Sequence, residues 1–161
     1  MKNKFVICLT GMSSFGIGFV LGGKTLAGMI NDYKKRMDRN LSNMMLFNDW
    51  LEFVYSGNSI EQYFHNHGYK KIMVYGNGYI GKRLIQALSD TDIEVVAIMD
   101  KSAPSNENEF VIGVDSAIPE VDCIVVTPIF YYGTIYDMLQ ERTNVPIVSM
   151  WSVIDRWAEE G

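Results

Sequence analysis

A glycine-rich turn between a predicted strand and a predicted helix constrains this chain most. Residues 72–75 form a short apolar run, residues 76–81 read Gly-Asn-Gly-Tyr-Ile-Gly, and helix-forming residues follow at once. This is the pattern G-x-G-x-x-G in the strand–turn–helix context that gives it meaning. It predicts that Gly76 allows a tight turn, that Gly78 lets a pyrophosphate approach the backbone, and that Gly81 lets the helix pack closely on the strand.

A carboxylate strengthens this interpretation. Asp100 directly follows the predicted second strand, residues 93–99, and lies about 20 residues beyond the glycines. The dinucleotide-binding fingerprint places an acidic residue at this distance, where it accepts hydrogen bonds from a ribose. The first turn of the helix adds free N–H groups and a positive dipole end, which favour an anion. The alternative is a plain glycine-rich turn followed by a solvated aspartate. The predicted ligand-contacting residues are Gly76, Asn77, Gly78, Tyr79, Ile80, Gly81, Asp100, Lys101, Thr127 and Pro128.

The rest of the C-terminal part alternates strand and helix patterns. Further strands are predicted at residues 110–114, 123–127 and 145–149, and helices at residues 80–88, 131–142 and 152–159, the last capped by Ser152. Such alternation predicts an α/β fold, a parallel sheet of about five strands with flanking helices. Thr127 and Pro128 then end a strand at the same edge of the sheet as the glycine turn.

The N-terminal run, residues 5–23, carries no charge and is long enough to span a bilayer core of about 30 Å as a helix. A cleaved signal peptide and a buried element of a soluble protein are the alternatives. An uncleaved anchor is favoured, because cleavage would export the glycine turn to a place where nucleotide cofactors are scarce. More basic residues follow the run than precede it, so the C-terminal part is expected in the cytoplasm. The localisation predicted is therefore the cell membrane, with a single pass, or otherwise the cytoplasm.

Residues 25–67 are predicted to be a helical linker. The helical spacing of apolar residues indicates an amphipathic helix over residues 25–48, and Asn48-Asp49 offers a cap for a second helix over residues 50–55. Ser59 and Gln62 fit a capping box that opens a helix ending at Gly68. The predicted division is an anchor at residues 1–24, the linker at 25–67 and a Rossmann-like domain at 68–161.

Composition narrows the function classes. The net charge of −5 argues against nucleic acid as a partner. Cys8 and Cys123 lie in separate apolar runs and are interpreted as small buried hydrophobic residues. His65 and His67 precede a glycine stop. Alternating histidines can bind a metal, but no clustered carboxylate or thiol is expected to complete a site, so they are interpreted as a solvated helix end and no metal site is predicted.

Groups for catalysis are missing from the sequence. A short-chain dehydrogenase needs a Tyr-x-x-x-Lys pair, whereas Tyr79 is followed four residues later by Arg83. No histidine or glutamate occupies an evident acid–base position, so no catalytic residue is predicted. The sequence indicates a binding unit.

Residues 72–84, the strand ending at Asp100, and residues 121–128 resemble a bacterial family of small Rossmann-like domains associated with surface-polysaccharide biosynthesis. These domains are similar to the N-terminal nucleotide-sugar-binding domains of sugar acyltransferases and, more distantly, to sugar epimerases and dehydratases. The resemblance implies that Gly76, Gly78 and Gly81 form the phosphate turn and that Asp100 accepts the ribose or sugar nucleotide. The transferase domain and the dehydratase catalytic residues are absent, so it implies binding without catalysis.

Three functions are compatible with the sequence. The first is a membrane-anchored accessory protein of glycan assembly that binds NAD(H) or a nucleotide-sugar, acting as a homodimer or with a glycan-assembly partner. The second is an NAD-dependent subunit that borrows catalytic residues from a partner; Asp100 favours NAD over NADP, because a carboxylate repels a 2′-phosphate. The third is a degenerate Rossmann scaffold with no ligand.

Overall fold

The computed structural model describes the backbone of residues 2–103 and 110–155, and the side chains of residues 26–103 and 110–155. The chain divides into two units, Met1–Leu41 and Ser42–Gly161. Helix α1 runs as Lys2–Tyr55 without interruption. The predicted helix start at Asn48-Asp49 is therefore wrong. The Asn48 side chain lies beside the Asp49 carboxylate, 3.4 Å away, and there is no free first-turn N–H group for it to cap.

In the first unit, the described side chains from residue 26 onwards are exposed along the helix. The large apolar ones are each more than half exposed, namely Leu26, Met29, Ile30, Tyr33, Met37 and Leu41. Among the residues whose side chains are described, no helix is long and apolar enough to cross a membrane. The predicted anchor, residues 1–24, lies outside those residues.

The second unit contains a five-stranded parallel sheet. Its strands are β1 (Lys71–Tyr75), β2 (Glu94–Met99), β3 (Val111–Ile112), β4 (Cys123–Val126) and β5 (Ile147–Ser149), in the order β3-β2-β1-β4-β5. The predicted α/β architecture of a parallel sheet with flanking helices is confirmed. The strand order is compatible with a Rossmann-like fold, in which the first three strands run outwards and the fourth returns beside the first.

The helices of this unit pack on both faces of the sheet. They are α2 (Ile60–Asn66), α3 (Tyr79–Leu88), α4 (Tyr132–Gln140) and α5 (Met150–Ile154), with a 3₁₀ turn over Ile129–Tyr131. Side chains alternate along β1, so that Ile72 and Val74 face one core while Met73 and Tyr75 face the other. The first core also holds residues of α1, α2, α3 and α5; the second is closed by α4. Burial on both faces explains the continuous apolar runs of β1 and β4.

The helix ends follow the predicted signals in part. Ser59 is the N-cap of α2 and has extended backbone angles, but its side chain makes no capping hydrogen bond. Gly68 ends this helix with φ +71°, the left-handed conformation expected of a glycine stop. The terminal helix α5 is capped by Ser149, whose hydroxyl accepts from the Ser152 N–H at 3.2 Å. The predicted cap at Ser152 is thus wrong by one turn.

Candidate functional site

The glycine turn joins the end of β1 to the start of α3. Gly76 adopts φ +106°, a conformation that side-chain-bearing residues rarely adopt. Its N–H donates to the carbonyl of Met99 at 2.8 Å, which ties the turn to the end of β2. A Cβ at Gly76 would lie 2.7 Å from Thr127 Oγ1 and 2.9 Å from the Pro128 ring. Both backbone conformation and space therefore require glycine here, as the sequence pattern predicts.

Gly81 lies in the first turn of α3 and packs directly against the glycine turn that precedes the helix. A Cβ built there would overlap the carbonyl oxygen of Gly76 and would lie 3.3 Å from Thr127 Oγ1. The glycine thus allows the helix backbone to approach the strand end, the role predicted for the third glycine of the pattern.

Gly78 differs from the other two glycines. Its φ of −81° is ordinary, it is exposed, and a Cβ there would meet no atom within 4 Å. It is the N-cap of α3, with no side-chain hydrogen bond at that end. The first hydrogen bond within the helix runs from the Lys82 N–H to the Gly78 carbonyl at 3.1 Å. The N–H groups of Tyr79, Ile80 and Gly81 precede it in the first turn, and N–H groups at this position have no carbonyl partner within their own helix.

Two further predicted contact residues of this turn, Tyr79 and Ile80, use their side chains elsewhere. Ile80 is buried in the first core, so only its backbone is placed to meet a ligand. The ring of Tyr79 is exposed and contacts Phe47 edge-on, with a centroid distance of 5.2 Å. The Arg83 guanidinium lies 5.1 Å from the same ring, within cation–π range.

These side chains line an apolar groove between the C-terminal part of α1 and the flank of α3, with a volume of about 360 Å³. Its lining is Phe47, Trp50, Leu51, Val54, Tyr79, Arg83, Gln86 and Ala87. This groove was not predicted from the sequence. The available signal was the spacing of Tyr79, Arg83 and Gln86, which places three large side chains on one outer face of α3.

Asp100 stands at the end of β2 beside the glycine turn. Its Oδ2 accepts from the Asn77 backbone N–H at 2.5 Å, and its Oδ1 accepts from the Ser102 N–H and hydroxyl at 2.8 and 2.6 Å. Burial opposes the charged form, but the hydrogen bonds from Ser102 and Asn77 outweigh it and lower the pKa of Asp100. The carboxylate predicted to accept a ribose therefore already holds the glycine turn to β2. Lys101, next to it, is exposed.

Thr127 and Pro128 follow β4 and form the other wall of the turn. Thr127 is 2% exposed, and its hydroxyl lies 3.0 Å from the Tyr75 carbonyl and 3.2 Å from the Gly76 carbonyl. The Thr127 N–H also donates to the Tyr75 backbone carbonyl at 3.0 Å. Thr127 thus fastens the end of β4 to the end of β1, a supporting role that its position at the strand edge did not reveal. Pro128 is half-buried against Gly76.

The structure accordingly brings all ten predicted contact residues to one edge of the sheet. Some of them hold the turn together, and others, such as Gly78 and Lys101, are exposed. We then compared the chain with protein-family models, with curated proteins and with solved structures. None of them matched. The resemblance to Rossmann-like domains of polysaccharide biosynthesis stays a prediction.

Proposed function

We propose that this chain binds a nucleotide through its pyrophosphate at the N-terminus of α3, and that binding, without catalysis, is the task of this unit. The ligand class is NAD(H) or a nucleotide-sugar; NAD(H) and the nucleoside-diphosphate sugars share the pyrophosphate and the ribose. Attachment to a membrane through residues 1–24 and a role in surface-glycan assembly belong to the same proposal, supported by the uncharged N-terminal run and by the sequence resemblance.

The observation that carries the proposal is the contrast among the three glycines. Gly76 and Gly81 are required by the protein itself, because a Cβ at either position would collide with neighbouring atoms. Gly78 is required by neither space nor backbone conformation. A glycine at an exposed N-cap leaves room for an external group, and a phosphate at that point would meet the first-turn N–H groups of α3.

The charges near the turn suit a bound phosphate and ribose. The positive end of the α3 dipole favours an anion, and Lys101 adds an exposed cation at the end of β2. Each carboxylate oxygen has two acceptor positions, so Oδ2 of Asp100, which accepts one described bond, retains one for a ribose hydroxyl. Asp100 would then serve the turn and the ligand together.

A thermal-shift panel on the 161-residue chain tests the proposal. The compounds are NAD, NADP, UDP-sugars, CMP-sugars and ATP, each across a concentration series. A ligand at one hundred times its dissociation constant stabilises the folded state by about 2.7 kcal/mol. We expect a saturable rise in melting temperature with one pyrophosphate-containing class. A folded chain indifferent to every compound would overturn the proposal and favour the scaffold function.

Two variants localise the effect. Gly78→Val fills the space that the phosphate would occupy while keeping an allowed backbone conformation, so the ligand-induced shift should disappear although the protein still melts cooperatively. Gly28→Val is the matched control, since Gly28 also has no atom within 4 Å of a built Cβ and belongs to the first unit. An undiminished shift in Gly78→Val would place the ligand elsewhere.

A further inference from the structure

Three potential metal ligands meet on the surface of the second unit, away from the glycine turn in sequence. Glu61 and His65 are one helical turn apart on α2, and Asp92 lies in the turn that leads into β2. One ligand atom from each of the three lies within 4.8 Å of the others. The sequence predicts no carboxylate beside the histidines. That expectation is wrong for His65, because the fold brings a residue 27 positions away to it.

His65 and Asp92 are already in contact. His65 Nε2 lies 2.5 Å from Asp92 Oδ1, a short, charge-assisted hydrogen bond when the ring nitrogen carries the proton. This hydrogen bond is the main cause that lowers the pKa of Asp92, and the positive charge of Lys70 makes a smaller contribution in the same direction. Glu61 is half-buried, whereas the His65 and Asp92 side chains are 44% and 59% exposed.

We propose that Glu61, His65 and Asp92 bind one divalent transition-metal cation, with Zn²⁺ as the favoured ion. An imidazole nitrogen with two carboxylate oxygens is a donor set that zinc accepts, and exposed ligands leave a fourth position open to water. A proton on Nε2, where the metal-free ring carries one there, would lie between Nε2 and Oδ1. On binding, that proton leaves to solvent or passes to Nδ1, and the cation takes its place between the two atoms.

The distances allow the site to close around an ion. Zinc lies about 2.0–2.2 Å from nitrogen and oxygen ligands, so two ligands of a tetrahedral site are about 3.3 Å apart. The His65–Asp92 pair must therefore open by less than one ångström, and Glu61 must approach through rotation of its flexible side chain. The C-terminal end of the α2 dipole favours a cation beside His65 and so raises the affinity of the site. The nearby positive charge of Lys70 lowers that affinity.

The imidazole determines which cation is selected. Ca²⁺ and Mg²⁺ prefer shells made of oxygen, whereas Zn²⁺, Co²⁺ and Ni²⁺ bind imidazole well. A site that depends on His65 should prefer the second group. A surface that only concentrates cations near carboxylates should show no such preference.

Isothermal titration of the untagged 161-residue chain with Zn²⁺ is the direct test, together with Co²⁺ titration followed by visible absorption. We expect one saturable site per chain and little binding of Mg²⁺ at the same concentrations. His65→Gln should weaken Zn²⁺ binding by at least about 100-fold, because removing even a partner that only orients a metal ligand costs about 10- to 100-fold. Asp92→Asn and Glu61→Gln should each weaken it as well.

The chain supplies its own control. His67 is exposed, two residues from His65, and its Nδ1 lies 2.8 Å from the Tyr63 carbonyl, outside the cluster. His67→Gln should leave the affinity within about twofold. Glu61→Gln keeps the His65–Asp92 contact, so it remains informative if His65→Gln fails to fold. Absence of saturable Zn²⁺ binding, binding that survives both His65→Gln and Asp92→Asn, or an equal loss in His67→Gln would overturn the proposal.

Discussion

The α-carbon of Gly81 faces the carbonyl oxygen of Gly76 so closely that no side chain fits between them. The start of α3 is thereby held against the end of β1, and Thr127 closes the same space from β4. The geometry of the turn thus depends on a glycine whose role is packing, whereas Gly78 leaves the ligand space open.

Substitution of these two glycines should have unequal effects on stability. Gly81→Ala must displace backbone atoms, because the neighbour that it meets is a carbonyl group and not a flexible side chain. We expect the free energy of unfolding to fall by roughly 2 kcal/mol or more, within the usual range for overpacking, even though alanine favours helix. Urea unfolding monitored by circular dichroism measures it.

Gly78→Ala is the comparison, since its new methyl group would meet no atom within 4 Å. Its cost should stay below about 1 kcal/mol, chiefly from exchanging a good N-cap residue for a poor one. Equal losses in the two variants would contradict the division of roles between the glycines. A changed urea m-value would mean that the comparison no longer refers to the same two-state transition.

Local signals in the sequence were sufficient for the architecture of the sheet. Apolar runs bounded by turns located all five strands, although β3 proved to be only Val111–Ile112 where residues 110–114 were predicted. The glycine spacing predicted the geometry of the turn because each glycine acts on atoms close to it in the chain or on an adjacent strand end. Helix caps were less predictable, since Asn48 and Ser152 are typical capping residues that the fold places inside helices.

Side-chain partners across the fold could not be predicted. Nothing in the sequence around Asp100 shows that the Asn77 N–H would occupy one of its oxygens, and nothing around His65 indicates Asp92. These contacts depend on the register in which β2 lies beside β1 and on the packing of α2, which are set by the whole core. The spacing of residues in the sequence indicates which residue types lie at an edge of the sheet. It does not indicate which groups become their hydrogen-bond partners.

The Tyr75 hydroxyl is a further feature that only the structure shows. Tyr75 is 3% exposed, and its hydroxyl is buried without a hydrogen-bond partner among the described residues. An unsatisfied buried hydroxyl costs about 1–3 kcal/mol. Tyr75→Phe should therefore stabilise the protein by about 1 kcal/mol, measured as a rise in the urea midpoint at unchanged m-value.

Tyr132→Phe provides the matched change. Its hydroxyl donates to the Ile147 carbonyl at 3.1 Å, so removing it should cost about 1 kcal/mol. The two substitutions delete the same atom, and opposite signs would confirm that the hydrogen bond decides the outcome. A loss of stability in Tyr75→Phe would mean that the Tyr75 hydroxyl is satisfied in solution.

The hydrogen bonds to Asp100 should make stability depend on pH in the acid range. Its pKa in the folded protein is lowered from an ordinary value of 3.8, so the ionised carboxylate stabilises the fold above that pH. This contribution is lost as the pH falls through the folded-state pKa. In Asp100→Asn the contribution is absent throughout, and the stability difference from the natural protein should be largest above pH 4 and shrink below it.

Comparison of the two proteins at each pH isolates Asp100, because Asp92 and Asp122, whose pKa values are also lowered, remain in both. Ser102→Ala removes one of the donors to Asp100 and keeps its carboxylate, so its stability curve should lie between the other two. Urea unfolding at intervals from neutral pH down to pH 2.5 supplies the three curves. A difference between the natural protein and Asp100→Asn that is constant across this range would show that the carboxylate does not stabilise the turn through its charge.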